Sequence, residues 1–304
     1  MELKTLDFAH FEAFDAEKIR QMSGLLDAAF RSSGFLVARN LGFQSSLVDN
    51  VFACSKSLFA LPLEKKLQYK FSGPQSNFGY HGMESEALAS GGSPDLKEAF
   101  TMRNVLGRVD DEGVWPSDEF RDLSTALFRS CFAAATELLK VCAIALGQKE
   151  NFFRELHSGE NATLRVLHYP DLSPRPDGGQ MGAGAHSDYG SITFLFQQDV
   201  GGLQILDSNK TWRNCPAVKD AAIVNVGDML EIWSNGLFPS TRHRVLPRTN
   251  TTDRYSIAFF MDPDDQVVVE PLTTCIEDTD TGRFAPVQVR EYLKGKIAGS
   301  QVRA

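Results

Sequence analysis

Hydrophobic spacing along the chain changes its period near the middle. After Asp15, the apolar residues Ile19, Met22, Leu25, Leu26 and Phe30 recur every three or four positions, the pattern of one helix face. Asp15 is a capping type and Gly34 a terminating type, so a helix is expected between them. "GFLVARN" then reads as a short buried strand. A second helix is expected over 47–59. Pro62 opens a third at "PLEKKLQY", where its fixed φ suits a first turn. The Gly- and Ser-rich stretch 72–94 holds no sustained period and reads as a long loop. Helical spacing returns over about 117–146 and closes at Gly147.

The second half is patterned differently. "TLRVLHY", "SITFLFQ", "GGLQIL", "AAIVNV", "HRVLP" and "RYSIAFFM" are short β-branched and aromatic runs separated by Gly, Pro, Asn or Asp. Many short strands at such spacing predict a barrel or a two-sheet, jelly-roll-like sandwich. The expected class is therefore mainly β with helices. No repeat, low-complexity tract or clear linker divides the chain, so a helix-rich region 1–155 is expected to pack on a β-rich core 156–304, which ends in a C-terminal helix, as one compact unit.

Composition removes several function classes. The formal net charge of -8 and the lack of any Lys/Arg cluster argue against a nucleic-acid partner. The most apolar stretch, 132–146, is broken by Glu137 and Lys140, whereas a membrane span needs about 20 predominantly apolar residues. "MELKTLDFAHFEAFDAEK" has neither the basic start nor the apolar centre of a secretory signal. Five cysteines, with no C-x-x-C pair, read as reduced thiols in a cytoplasmic setting and offer no cysteine-rich zinc site.

Candidate chemistry centres on "GAGAHSDYG". On an extended strand His186 and Asp188 point to the same face and could reach one ion; in a turn, Asp188 would instead satisfy local backbone donors. Among six histidines, His243 in the strand-like "STRHRV" is a third ligand if the chain folds back on itself. Two histidines and a carboxylate on one side of an ion leave the other positions open, as in non-haem Fe(II) oxygenases, although zinc tolerates the same ligands. Arg254 and Ser256 in "RYSIAFF" share a strand face, and a guanidinium fork beside a hydroxyl suits a carboxylate. The bland alternative is a solvated arginine or one paired internally. Tyr169 in "LRVLHYP" adds a phenol donor or a plain core ring, and its neighbour His168 should point to the opposite face.

Taken together, "GFLVARNLG", "LFALPLEKKLQY", "PDLKEAFTM", "LRVLHYP", "GAGAHSDYGSITFLFQQDVGGLQIL", "VNVGDMLEIWSNGLFPSTRHRV" and "RYSIAFFMDPD" cover nearly the whole chain in order. In these blocks the sequence resembles the isopenicillin N synthase-like family of Fe(II)- and 2-oxoglutarate-dependent dioxygenases, especially its bacterial-type members. The resemblance implies a double-stranded β-helix core with a helical N-terminal region. It implies that His186, Asp188 and His243 hold Fe(II), that Arg254 and Ser256 bind the distal carboxylate of 2-oxoglutarate, and that Tyr169 contacts the cofactor's other end. Ser187 stands where threonine is more usual and keeps the hydroxyl. Asn225-Val-Gly-Asp228 also matches the family and reads as a tight turn without a catalytic part.

The implied reaction consumes O2 and 2-oxoglutarate, releases succinate and CO2, and oxidises an unactivated C–H bond of a small molecule by hydroxylation, desaturation or ring closure. Candidate substrate residues are Phe78, Tyr80, His81, Phe100, Arg103, Tyr189 and Met261. If Arg103 faces the iron, it favours a carboxylate-bearing substrate such as an amino-acid derivative. Two other readings stay open at this point. One is an iron oxidase of the same fold that takes all its electrons from substrate, which succinate release excludes. The other is a non-catalytic metal- or small-molecule-binding protein, which iron-dependent O2 consumption excludes. Sequence alone leaves the oligomeric state undefined.

Overall fold

The computed structural model describes residues 2–10, 15–89, 91–111, 113–172, 179–247, 252–277 and 281–302. Chain order begins β1 (Thr5–Asp7), α1 (Ala16–Ser33), β2 (Phe35–Arg39), α2 (Ser45–Phe59) and α3 (Leu63–Lys66). β3 (Phe78–His81), β4 (Glu98–Arg103) and α4 (Asp118–Ala145) follow. Next come β5 (Thr163–Tyr169), β6 (Ala183–His186), β7 (Ile192–Gln197), β8 (Leu203–Leu206), β9 (Trp212–Asn214) and β10 (Ala221–Val226). The chain closes with α5 (Asp228–Trp233), β11 (His243–Val245), β12 (Arg254–Met261), the short β13 (Val268–Val269) and β14 (Val287–Gln288), and α6 (Val289–Ser300).

The helix starts follow from their caps. The Asp15 carboxylate accepts from the Lys18 amide, and Gly34 ends α1 in the left-handed region at φ 67°. A side chain at Gly34 would put its Cβ 2.1 Å from the Pro239 carbonyl oxygen, so glycine is required both for the turn and for the close approach. Leu25, expected on the buried face of α1, is 50% exposed. It lies at the edge of the stripe, and Met22, Leu26 and Phe30 fill the interface. Ser117 caps α4 by accepting from the Phe120 amide.

Two sheets face each other. The larger runs β1-β2-β10-β7-β12-β5-β4-β3 and the smaller β6-β11-β8-β9, all antiparallel except the β1–β2 pair. This is the double-stranded β-helix expected, with α1, α2 and α4 stacked on the outer face of the larger sheet and α6 reaching the cavity. Strand alternation divides the core. Ala222, Val224, Phe194, Ile257, Phe259, Leu164 and Val166 pack toward the helices, whereas Ile223, Ala258, Leu167 and Tyr169 face the smaller sheet.

Two expectations needed revision. Stretch 72–94 is not all loop, because β3 runs through it and pairs with β4. β3 is cryptic because Gly79 breaks its pattern; there, at φ 118°, a Cβ would sit 2.7 Å from the Tyr69 carbonyl oxygen. The chain's first half is also less helical than its period suggests, for it supplies four of the eight strands of the larger sheet. Among the described residues no helix is long and apolar enough to cross a membrane, and all five cysteines are free.

Candidate active site

His186 ends β6 and His243 begins β11, and the two are direct partners in the ladder. Their rings therefore stand side by side, with centroids 4.4 Å apart. Asp188 lies just beyond β6, its Oδ1 3.8 Å from His186 Nε2 and 3.6 Å from His243 Nε2. The three ligand atoms lie within 4.8 Å of one another. Each imidazole is oriented from behind. Nδ1 of His186 lies 2.7 Å from the Gly184 carbonyl and Nδ1 of His243 3.3 Å from the Thr241 carbonyl. With Nδ1–H donating there, each Nε2 lone pair is left facing its neighbours.

Asp188 is held in the same way. Its Oδ2 accepts from Asn225 Nδ2 at 2.7 Å, and its backbone carbonyl accepts from the Asp228 amide at 2.8 Å. Burial would raise this carboxyl, yet His243, His186 and the Asn225 and Thr193 hydrogen bonds hold it below the usual carboxylate range. Burial, together with the neighbouring His243, pushes His186 down to about 3, so its ring is neutral at physiological pH. Two imidazoles and one carboxylate, each with its second polar atom already occupied, form a donor set suited to a divalent ion such as Fe(II).

A cavity open to water-sized molecules over about 150 Å³ adjoins this cluster. Arg254, Ser256, Ala258 and Phe260 line it along β12, and Thr163, Arg165, Leu167 and Tyr169 line it along β5. Arg254 is fully buried. Its Nη1 donates to Ser256 Oγ at 3.3 Å, its Nη2 donates to Gln197 Oε1 at 3.0 Å, and its guanidinium lies 4.7 Å from the centroid of the Tyr169 ring. Tyr169 is the ladder partner of Arg254, and Gln197 that of Ser256. A buried cation surrounded in this way by a hydroxyl, an amide and an aromatic face suits an anionic ligand.

The substrate candidates divide sharply. Tyr189 lines the cavity, with Lys296 Nζ 5.2 Å from its ring centroid. Phe78, Tyr80, Phe100 and Met261 do not; each belongs to the helix-facing layer of the core. Phe78 packs edge-on to Phe100 and Trp115, and the Tyr80 hydroxyl donates to Glu98. Alternation explains the error, since Lys97 and Thr101 face the cavity from β4 and its approach while Phe100 and Met102 must face away. His81 sits behind the wall, its Nδ1 3.6 Å from Glu86. Arg103 is off the cavity too, and its charge lies near Asp262 and Asp265.

Gln197, which no sequence pattern singles out, contacts Arg254, and Asn225, expected in a tight turn, contacts Asp188. Asn225 is not part of a turn: it lies on β10, and its side chain reaches Asp188. The signal was available in "AAIVNV", where Ile223 and Asn225 must share the face opposite Ala222, Val224 and Val226. His168, as expected, points away from the cavity and bridges Glu98 and Asp253.

Comparisons with known proteins agree in kind. The family model described as the 2OG-Fe(II) oxygenase superfamily matches residues 161–263, and the one described as the non-haem dioxygenase in morphine synthesis N-terminal region matches 3–118. The chain is similar to the 2-oxoglutarate-Fe(II) type oxidoreductase hxnY of Emericella nidulans, at 30% identity over 98% of this chain and 90% of that protein. It is also similar to UPF0676 protein C1494.01 of Schizosaccharomyces pombe, at 34% identity over 90% of this chain and 86% of that one. Among solved structures it resembles a full-length Neurospora crassa protein in complex with alpha-KG and thymine, with a TM-score of 0.87 and 29% identity over 97% of this chain and 96% of that one.

Proposed function

The chain belongs to the isopenicillin N synthase-like family of Fe(II)- and 2-oxoglutarate-dependent oxygenases, and from that premise we propose which of its residues carry the reaction. The enzyme uses Fe(II), 2-oxoglutarate and O2 to oxidise a small molecule. His186, Asp188 and His243 hold the iron. The observation that carries this assignment is their convergence, with every second polar atom of the three tied back to Gly184, Thr241 or Asn225. Arg254 and Ser256 hold the far carboxylate of 2-oxoglutarate; Tyr169, expected at the co-substrate's other end, lies instead against the Arg254 guanidinium and so flanks that carboxylate.

Iron bound there supplies the O2 activation that couples decarboxylation of 2-oxoglutarate to oxidation of a substrate C–H bond. The chain's own contribution is placement. Arg254 fixes one end of the co-substrate, while Gln197 and Ser256 fix Arg254. Leu167, Leu195, Leu203, Val245 and Ala258 give the cavity a largely apolar wall that limits water around the reacting groups. A cytoplasmic location fits this reading, because a reducing compartment keeps both Fe(II) and the five free thiols reduced.

Anaerobic reconstitution with Fe(II) and 2-oxoglutarate tests the assignment. The wild type should develop the weak visible charge-transfer band of the chelate, and Arg254→Ala should lose or weaken it. Iron bound without a band in the wild type would overturn the 2-oxoglutarate site, and an unchanged band in Arg254→Ala would overturn the role of Arg254.

A further inference from the structure

The far end of the cavity carries polar groups that iron and 2-oxoglutarate leave unused. Thr101 on β4 and Arg165 on β5 are ladder partners, and both line the cavity. Arg165 is also opposite Ala258 on β12, four positions beyond Arg254, which is roughly 13 Å at the usual strand rise. Thr101 is 2% exposed. Its Oγ1 has no hydrogen-bond partner among the described residues, and neither has Arg165 Nε. Two adjacent buried donors without protein acceptors are costly unless water or a ligand supplies the missing oxygen, and both line a cavity a ligand can enter.

The charges around them define what that oxygen belongs to. Arg165 Nη2 is bonded to Glu86 Oε2, and Lys97 Nζ lies 3.4 Å from the same oxygen while also pairing with Asp95. Two cations against two carboxylates leave the cluster with no net charge. A substrate carboxylate would have to displace Glu86 from Arg165 or approach Glu86 as a like charge. A substrate ammonium would meet Lys97 and Arg165. The fully buried polar atoms of this pair that lack a partner are one N–H and one hydroxyl, which together match an uncharged acceptor.

We propose that Thr101 and Arg165 are the substrate-recognition pair and that they bind an uncharged substrate through a carbonyl oxygen, as in an amide or lactam. Arg165 Nε–H and the Thr101 hydroxyl donate to that oxygen; an adjacent amide N–H can donate to Thr101 Oγ1 when its hydroxyl is turned. This inference rests on the oxygenase assignment above and replaces the carboxylate preference attached to Arg103, which lies off the cavity.

The test uses the full chain loaded anaerobically with Fe(II) and 2-oxoglutarate. The charge-transfer band is recorded first, so failure of the cofactor assignment is seen separately as its absence. Benzamide, 2-pyridone and δ-valerolactam are then titrated to millimolar concentration against benzoate, cyclohexanecarboxylate and benzylamine, with band shift and melting temperature as readouts. At least one amide should shift both. Thr101→Val and Arg165→Lys should each weaken that binding about tenfold while still forming the 2-oxoglutarate band. Thr101→Val is nearly isosteric, and Arg165→Lys keeps a cation for Glu86, so neither depends on losing the fold. Binding of the charged compounds in preference to the amides, binding of no amide at all, or equal binding by both variants and wild type would overturn the proposal.

Discussion

The two ends of the cavity are built by different means. At the Arg254 end, the polar side chains described around the guanidinium come from neighbouring strands of one sheet. Arg254 and Ser256 lie on β12, Tyr169 is opposite on β5, and Gln197 is opposite on β7. At the Arg165 end the wall is assembled from Glu86 in a connecting segment, Lys97 and Thr101 on or next to β4, Tyr189 beyond β6, and Leu293 and Ile297 on α6. Backbone bonds from the Ala87 amide to the Ser300 carbonyl and from the Val302 amide to the Ser85 carbonyl join the last of these pieces to the first. Tyr292 and Lys296 anchor α6 on the Asp228 carboxylate, at 2.7 and 3.1 Å. A ladder fixes distances to a fraction of an ångström and tolerates little change. Loops and a terminal helix can be rebuilt while the sheet stays intact. Chemistry that must not vary therefore sits in the ladder; at the Arg165 end Thr101 and Arg165 are held by the ladder as well, and the attached pieces around them are where the pocket's outline can change.

The largest expected effect falls between the two ends. Asp188→Ala removes the only carboxylate of the triad and leaves two imidazoles facing an empty corner. Iron retention after desalting should be lost and turnover should fall to background, and 2-oxoglutarate at the proposed Arg254 site should no longer yield a visible band. Next in size is Arg254→Met. Losing a buried charge-assisted pair costs about 3 kcal/mol, or roughly 100-fold in affinity. The dissociation constant for 2-oxoglutarate, measured by titrating the band, should rise by that factor, with iron stoichiometry unchanged. A change at the Arg165 end, such as Thr101→Val, should leave this constant where it is. If it moves, the two ends are not separable.

How far each end was readable from sequence follows the same division. His186, Asp188, Arg254, Ser256 and Tyr169 lie in short, strongly alternating runs, where a spacing of two residues fixes a common face. The caps Asp15 and Ser117 and the terminating Gly34 were equally legible, because they act on the nearest three or four residues. The Arg165 end was not. Phe100 and Met261 have side chains that suit a pocket, but strand alternation sets both on the face toward the helices. Glu86 and α6 meet through contacts more than two hundred residues apart, as in the Gln301–Glu86 pair at 3.5 Å. No local pattern encodes such a meeting. Asn225 is the intermediate case, since alternation marks its face but only the fold puts Asp188 within reach.

A smaller effect tests the support behind the triad. Asn225→Ala frees Asp188 Oδ2 without removing a ligand. Outer hydrogen-bond partners of metal ligands are worth about 10–100-fold in affinity or activity, and a single neutral donor belongs at the low end. Affinity for Fe(II), measured against a competing chelator, should fall about tenfold, with the melting temperature of the metal-free protein little changed. An unchanged affinity would mean that the ladder alone orients Asp188.

The smallest expected effect probes the Arg165 end through pH. His81 packs at a tilt against Phe71, with ring centroids 4.1 Å apart, and backs the Glu86 cluster. Burial pushes its ring down from 6.5 to about 4; Glu86 opposes this shift, and Arg165 and Lys97 add to it. As pH falls below 6.5 the unfolded chain takes up a proton at this residue, while the folded chain stays neutral until about pH 4. The unfolded state then binds more protons, so stability that is fully present above 6.5 is lost as pH falls through that window. The loss amounts to about 1 kcal/mol by about pH 5.5. Melting curves at stepped pH should show this acid slope in the wild type and a shallower one in His81→Gln. Other buried histidines, such as His157, shift in the same direction and add to both curves, so the difference between them isolates His81. Equal slopes would mean that His81 is hydrated when the cavity is open. The Arg165 end would then be a looser structure than the ladder at Arg254 by more than its construction from separate pieces requires.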